Sequence, residues 1–135
     1  MQLSMSMKQF RRLLDLVYIG NWVINSTRGD DRIAEFDEVE SLLFGQCGKV
    51  GLEKLTEQFE GAAIPSQSFA DGGIQEAIMD YEDTVFFEIL AEELARRDIT
   101  AEGGNEDDCE QLGERIRNYI EEFERNGTDN IMLNL

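Results

Sequence analysis

Apolar residues along this chain recur at steps of three and four, the spacing of one face of an α-helix. Between Lys8 and Asn25, Phe10, Leu13, Leu14, Val17 and Ile24 share one face, and Leu16, Ile19, Trp22 and Val23 cover much of the other. A helix apolar on most sides is predicted to be central, covered by several neighbours. A second helix is predicted over about Asp31 to Phe44, with Ile33, Phe36, Val39, Leu43 and Phe44 on one side. Asp30 or Asp31 would cap it, and Glu35 lies near its positive end. Gly45, Gly48 and Gly51 interrupt it. A short third helix is read over about Gly51 to Phe59, with Leu52, Leu55 and Phe59 inward. Gly61 to Gly73, which holds the single Pro, reads as a mobile loop.

Helix four, about Ile74 to Arg97, has two faces. Ile74, Ala77, Ile78, Tyr81, Val85 and Ile89 form one stripe, and Phe86, Phe87, Leu90 and Leu94 lie roughly opposite. Such a helix must touch two layers, the second from this chain or from another subunit. After Gly103-Gly104, helix five is predicted over Asp107 to Arg125, with Cys109, Leu112, Ile116, Tyr119, Ile120 and Phe123 on one stripe and charge elsewhere. It reads as an ordinary surface helix. The tail Ile131-Met132-Leu133-Asn134-Leu135 is apolar and is expected to dock on the bundle or on a partner. No segment alternates apolar and polar like a strand. The fold class that follows is all-α, a single domain over residues 1–135 that forms a compact bundle of four long helices plus one short helix.

Composition narrows the chemistry. The 135 residues include no His, so His-based metal sites, Ser-His-Asp triads and Cys-His pairs are excluded. The net charge of −17 argues against direct nucleic-acid binding, which depends on cations that neutralise phosphates. Residues 1–28 carry four basic residues and one acid, net +3, whereas residues 29–135 carry eight basic and 28 acidic, net −20. No apolar run is long enough to cross a membrane, and the N-terminal residues lack the pattern of a secretory leader. The chain is therefore expected to be cytoplasmic, with Cys47 and Cys109 as buried thiols.

Carboxylates at helical spacing are the candidates for chemistry. Glu35 and Glu38 make an E-x-x-E, and Asp80 and Asp83 a D-x-x-D. Two such pairs on facing helices would hold Mg²⁺ through oxygens. The pattern resembles the all-α NTP pyrophosphatases, which implies Mg²⁺-dependent nucleotide hydrolysis. It departs from them in its second pair and in lacking a Lys or Arg cluster for phosphates. E-x-x-E also recurs at Glu57/Glu60 and Glu121/Glu124, so the bland reading is a solvated helix face. Asp71-Gly72-Gly73 lacks the Lys and Ser/Thr of a phosphate loop. Trp22, Tyr81, Phe86 and Phe87 have no neighbouring cations for stacking bases and read as core. No cofactor is expected.

Two stretches carry a further likeness, Leu14–Asn25 and Tyr81–Asp98, about 30 of 135 residues. Leu16-Val17-Tyr18-Ile19-Gly20-Asn21-Trp22, together with Tyr81, Phe86, Leu90, Leu94, Ala95, Arg97 and Asp98, resembles a group of small acidic bacterial proteins without an established activity. The resemblance implies a bacterial or phage source and nothing catalytic. The expectation is a non-enzymatic protein–protein interaction module that engages a protein partner or itself as a homodimer. Phe86, Phe87, Leu90 and Leu94 are its interface candidates. The alternative is an acidic mimic of nucleic acid that inhibits a DNA- or RNA-binding enzyme, since a one-signed surface can meet a basic partner.

Overall fold

A helix leaves its first amides without partners, and Ser6 supplies one here. In the computed structural model, which describes residues 2–133, the Ser6 hydroxyl accepts from the Gln9 amide at 3.2 Å and the Gln9 side chain accepts from the Ser6 amide at 2.8 Å. This reciprocal cap opens α1 (Met7–Asn25). Contacts gather into two units, Met1–Ile78 and Met79–Leu135.

In the first unit, α1 ends on a buried asparagine that starts the next helix. Asn25 is 1% exposed. Its Nδ2 donates to Asn21 Oδ1 at 2.8 Å and to the Ile33 carbonyl at 3.0 Å, and its Oδ1 accepts from the Ile33 amide at 2.9 Å. This clamp sets α2 (Ala34–Phe44), whose own N-terminal residue has no side-chain cap. The helix starts three residues later than the expected Asp31. Neither Asp30 nor Asp31 caps it, because the turn claims the second acid: Asp31 pairs with Arg28 at 2.8 Å and accepts from the Gly29 amide at 3.1 Å.

The expected short helix over Gly51 to Phe59 is absent. Short 3₁₀ turns at Cys47–Val50 and Glu53–Leu55 lead into β1 (Thr56–Phe59), which pairs antiparallel with β2 (Ala62–Pro65). Glu60 and Gly61 both have positive φ, 48° and 82°. That is the backbone of the tight primed turn whose twist matches two antiparallel strands. Phe59, placed inward by the helical reading, is exposed. The stretch expected to be a mobile loop is structured: Ala63 on β2 and Phe69 on α3 (Gln67–Phe69) both enter the core. Ser66 caps α3, accepting from the Phe69 amide at 3.2 Å and donating to the Lys54 carbonyl at 2.5 Å. A widened turn over Ala70–Ile74 then kinks at Gly73, whose φ of 98° suits glycine, before α4 (Gln75–Ala101).

Phe69 is the centre of this core, which joins Phe10, Leu14, Phe44, Cys47, Ala63 and Ile74. Its ring meets Phe44 edge-on at 4.9 Å and Tyr18 at 5.2 Å, and the Arg11 guanidinium lies 4.8 Å from its centroid. One aromatic ring thus ties α1 and α2 to the segment after the hairpin.

The second unit holds most of α4 and all of α5 (Cys109–Asn126). Asp108 caps α5 through the amides of Glu110 and Gln111, at 3.1 and 3.2 Å. Helix α4 runs four residues past the expected Arg97 and closes with Gly104 donating to the Ile99 carbonyl at 2.8 Å. The helices are tied by Asp98, which accepts from the Tyr119 hydroxyl, and by Arg115 on Glu102 at 2.7 Å. On α4, Ala91, Ala95 and Ile99 are fully buried, a stripe of i, i+4 and i+8. Cys47 is buried as expected, but Cys109, the first residue of α5, is exposed. In the tail Ile131 is half-buried, whereas Met132 and Leu133 are exposed; Asn134 and Leu135 lie outside the described residues.

The described residues are mostly helical, and in place of the expected short helix they hold 3₁₀ turns and the first strand of a small two-stranded sheet. Truncating Phe69 to Ala is expected to cost about 3–5 kcal/mol and Asn25 to Ala about 1–3 kcal/mol, since each leaves a void or orphaned backbone groups in the first unit. Phe59→Ala, at an exposed site, should stay within about 0.5 kcal/mol of the parent. Urea unfolding of the three variants checks the order.

Candidate functional site

The four carboxylates singled out as metal candidates fall in different units. Glu35 and Glu38 occupy the start of α2, exposed, and Asp80 and Asp83 lie exposed on α4. Among the described residues no group of three or more His, Cys, Asp or Glu is placed to hold a metal ion.

A polar cluster does form in the first unit. Asp37 accepts from the Arg32 guanidinium at 2.6 Å twice and from Asn21 Nδ2 at 2.9 Å. These donors, Arg32 first, hold its carboxyl below the usual range. One turn on, Glu40 is half-buried, and loss of water pushes its carboxyl up, against the opposing hydrogen bond of Asn21. Tyr18 stands over Glu40. Burial first and the Glu40 charge second push its phenol up, while Gln75 donates to its oxygen at 2.5 Å. Of these groups Tyr18 and Glu40 line a shallow cleft of about 250 Å³, together with Glu57, Ser66 and Gln67. The arrangement is one of structural hydrogen bonds that orient α2 on α1, with one carboxylate held at a cost.

The larger feature lies in the second unit. Between α4 and α5 runs an open groove of about 680 Å³. Its floor is Phe87 of α4 with Ile116, Ile120 and Phe123 of α5, and the Phe87 and Phe123 rings are 5.5 Å apart. Its rim is Asp83, Glu88, Glu92 and Glu124. Helical spacing explains both. Ile116, Ile120 and Glu124 follow one another by four on α5, and Thr84, Glu88 and Glu92 do so on α4. Glu92 is ion-paired with Arg96 at 2.7 Å. No such pair engages Asp83, Glu88 or Glu124 among the described residues.

Of the interface candidates, Phe87 enters the groove, and Phe86 stands beside it, 51% exposed, with the rings edge-on at 5.1 Å. Leu90 is half-buried. Leu94 lines a separate small cleft of about 180 Å³ with Tyr119, Ile131 and Met132. The α5 residues of the floor belong to the apolar stripe that the spacing predicts for an ordinary surface helix. Of the rim acids, sequence spacing singles out Asp83 alone, and for a metal site. The rim's signal was acids recurring four apart beside that stripe.

Compared with family models, with curated proteins and with solved structures, the chain matches none.

The polar cluster sets a pH dependence whose two parts oppose each other. Glu40 has a raised pKa in the fold, so its ionised form weakens the fold at neutral pH, and that penalty fades as pH falls through the raised value. Asp37 has a lowered pKa, so its contribution is present above the ordinary carboxylate range and is lost only as pH falls through the lowered value. Glu40→Gln should therefore melt above the parent at pH 7.5, and the gap should narrow as pH falls toward the ordinary Glu value of about 4.3. Thermal unfolding at the two pH values reads both.

Proposed function

We propose that the chain is a non-enzymatic, cytoplasmic protein–protein interaction module whose docking face is the α4–α5 groove. The observation that carries the reading is an apolar floor left open to solvent in a groove of about 680 Å³. Scattered apolar side chains on a surface need no explanation, but a concave apolar strip with a polar rim is the common form of a partner site. Phe86, Met79 and Ile89 on α4 are each more than half exposed as well. Laying a helix into such a strip is a recurrent mode of recognition.

Two further facts support the reading. Both cysteines are free thiols, as suits a reducing compartment, and no helix among the described residues is long and apolar enough to cross a membrane. An acidic mimic of nucleic acid needs an unbroken acidic row. On α4 and α5, Arg96, Arg97, Arg115 and Arg125 break that row, each paired with a carboxylate within 2.6–3.6 Å.

The test is selection of helical peptides of unrestricted sequence on the immobilised protein. Selected peptides should shift amide resonances of α4 and α5, and Ile120→Asp should weaken them at least tenfold, or about 1.4 kcal/mol. Peptides that map to the first unit, or that ignore Ile120→Asp in a variant whose circular dichroism is unchanged, would defeat the proposal.

A further inference from the structure

We infer that the occupant of the groove is a foreign amphipathic helix of two to three turns, with Lys or Arg on both flanks of its apolar stripe. The inference rests on the docking reading above and adds the chemistry of the partner.

The length comes from the helix geometry. On α4 the lining runs from Asp83 to Glu92 and on α5 from Ile116 to Glu124. At 1.5 Å per residue these are about 14 and 12 Å of helix axis. A partner helix laid along them has room for roughly nine residues.

The charge comes from the rim. Every charged residue that lines the groove is acidic, and both helices supply at least one. Glu92 alone among the rim acids has an ion pair among the described residues. A helix with an apolar stripe and acidic flanks would bring like charges together as it docks, whereas basic flanks meet Asp83 and Glu88 on one wall and Glu124 on the other. Complementary charge of this kind sets partner choice and encounter rate more than total affinity.

The same arithmetic disfavours a second copy. The chain carries −17 overall, and residues 79–135 hold five basic and 17 acidic residues, net −12. One face of the chain does combine cations with exposed apolar groups: Lys8 and Arg12 beside Met5 and Leu16, with Leu16 69% exposed. But Arg12 is already paired with Asp15 at 3.0 Å. That face would bring one unpaired cation, Lys8, to three unpaired carboxylates.

The experiment uses the full chain and two labelled 18-residue peptides with the same Leu stripe at i, i+3, i+4 and i+7. One has Lys and Arg flanks and the other Glu flanks. Fluorescence anisotropy is read at 50 and 300 mM NaCl, and light scattering gives the oligomeric state. The basic peptide should bind saturably, at least tenfold tighter than the acidic one, and lose affinity severalfold at the higher salt. The charge-reversed pair Glu88→Lys with Glu124→Lys should weaken it at least tenfold. Asp30→Lys with Glu53→Lys, which makes the same change in net charge on the first unit, should weaken it less than threefold. Equal loss from the two double variants means net charge alone attracts the peptide, and the inference falls. Equal binding of both peptides, lost on Ile120→Asp, sinks the basic flanks but leaves the docking reading standing. A dimer that Ile120→Asp dissolves, with neither peptide bound, makes a second copy the occupant and also sinks the inference. A monomer that binds neither peptide defeats the inference and the docking reading together.

Discussion

Two helices share a single seam. That constraint governs the second unit, where α4 and α5 meet and Met79, Tyr81, Phe86 and Ile89 on α4 stay exposed. The seam is built from small and medium residues on α4, with Ala91, Ala95 and Ile99 fully buried, and from Phe123 on α5. Toward the N-terminal end of α4 the alanines give way to Phe87 and Phe86. There Phe87 faces Phe123 of α5 with the rings 5.5 Å apart, and the groove opens beside them.

Charge makes the groove's apolar strip tolerable. An exposed apolar surface invites association with copies of itself, and a strong net charge of one sign opposes it. Carboxylates around the groove repel another copy of the chain and, on the proposed reading, attract a cationic helix. The first unit solves a different problem. Its hairpin and two helices close around Phe69, and its polar groups are spent inside, on the Asn25 clamp and the Asp37–Arg32 pair. No side-chain nitrogen or oxygen that is buried among the described residues lacks a partner.

The long helices were legible because their apolar residues repeat over four or more turns, enough to outvote any local exception. The hairpin was not. Leu52, Leu55 and Phe59 fall at steps of three and four by chance, and the tight turn uses Glu60-Gly61 where Asn-Gly would have announced it. The start of α2 was misread because a distant side chain, Asn25, performs the capping that local acids would ordinarily perform. Sequence spacing cannot show a clamp between residues eight apart. The seam of α4 was missed for another reason: alanine carries little apolar weight, so Ala91 and Ala95 looked neutral beside Phe86 and Ile89, which stay outward. The groove floor could be read as a stripe, but whether a stripe is covered or bare depends on how many neighbours the chain folds against it.

The two thiols stand in opposite settings. Cys47 is sealed in the first core, where loss of water pushes its thiol up, while Cys109, at the start of α5, is exposed. Exposure alone therefore sorts them, and a maleimide reagent will find one sulfur and leave the other. A dye or spin probe can be attached to the native chain at the mouth of α5 without engineering a site, and it will report on the second unit alone.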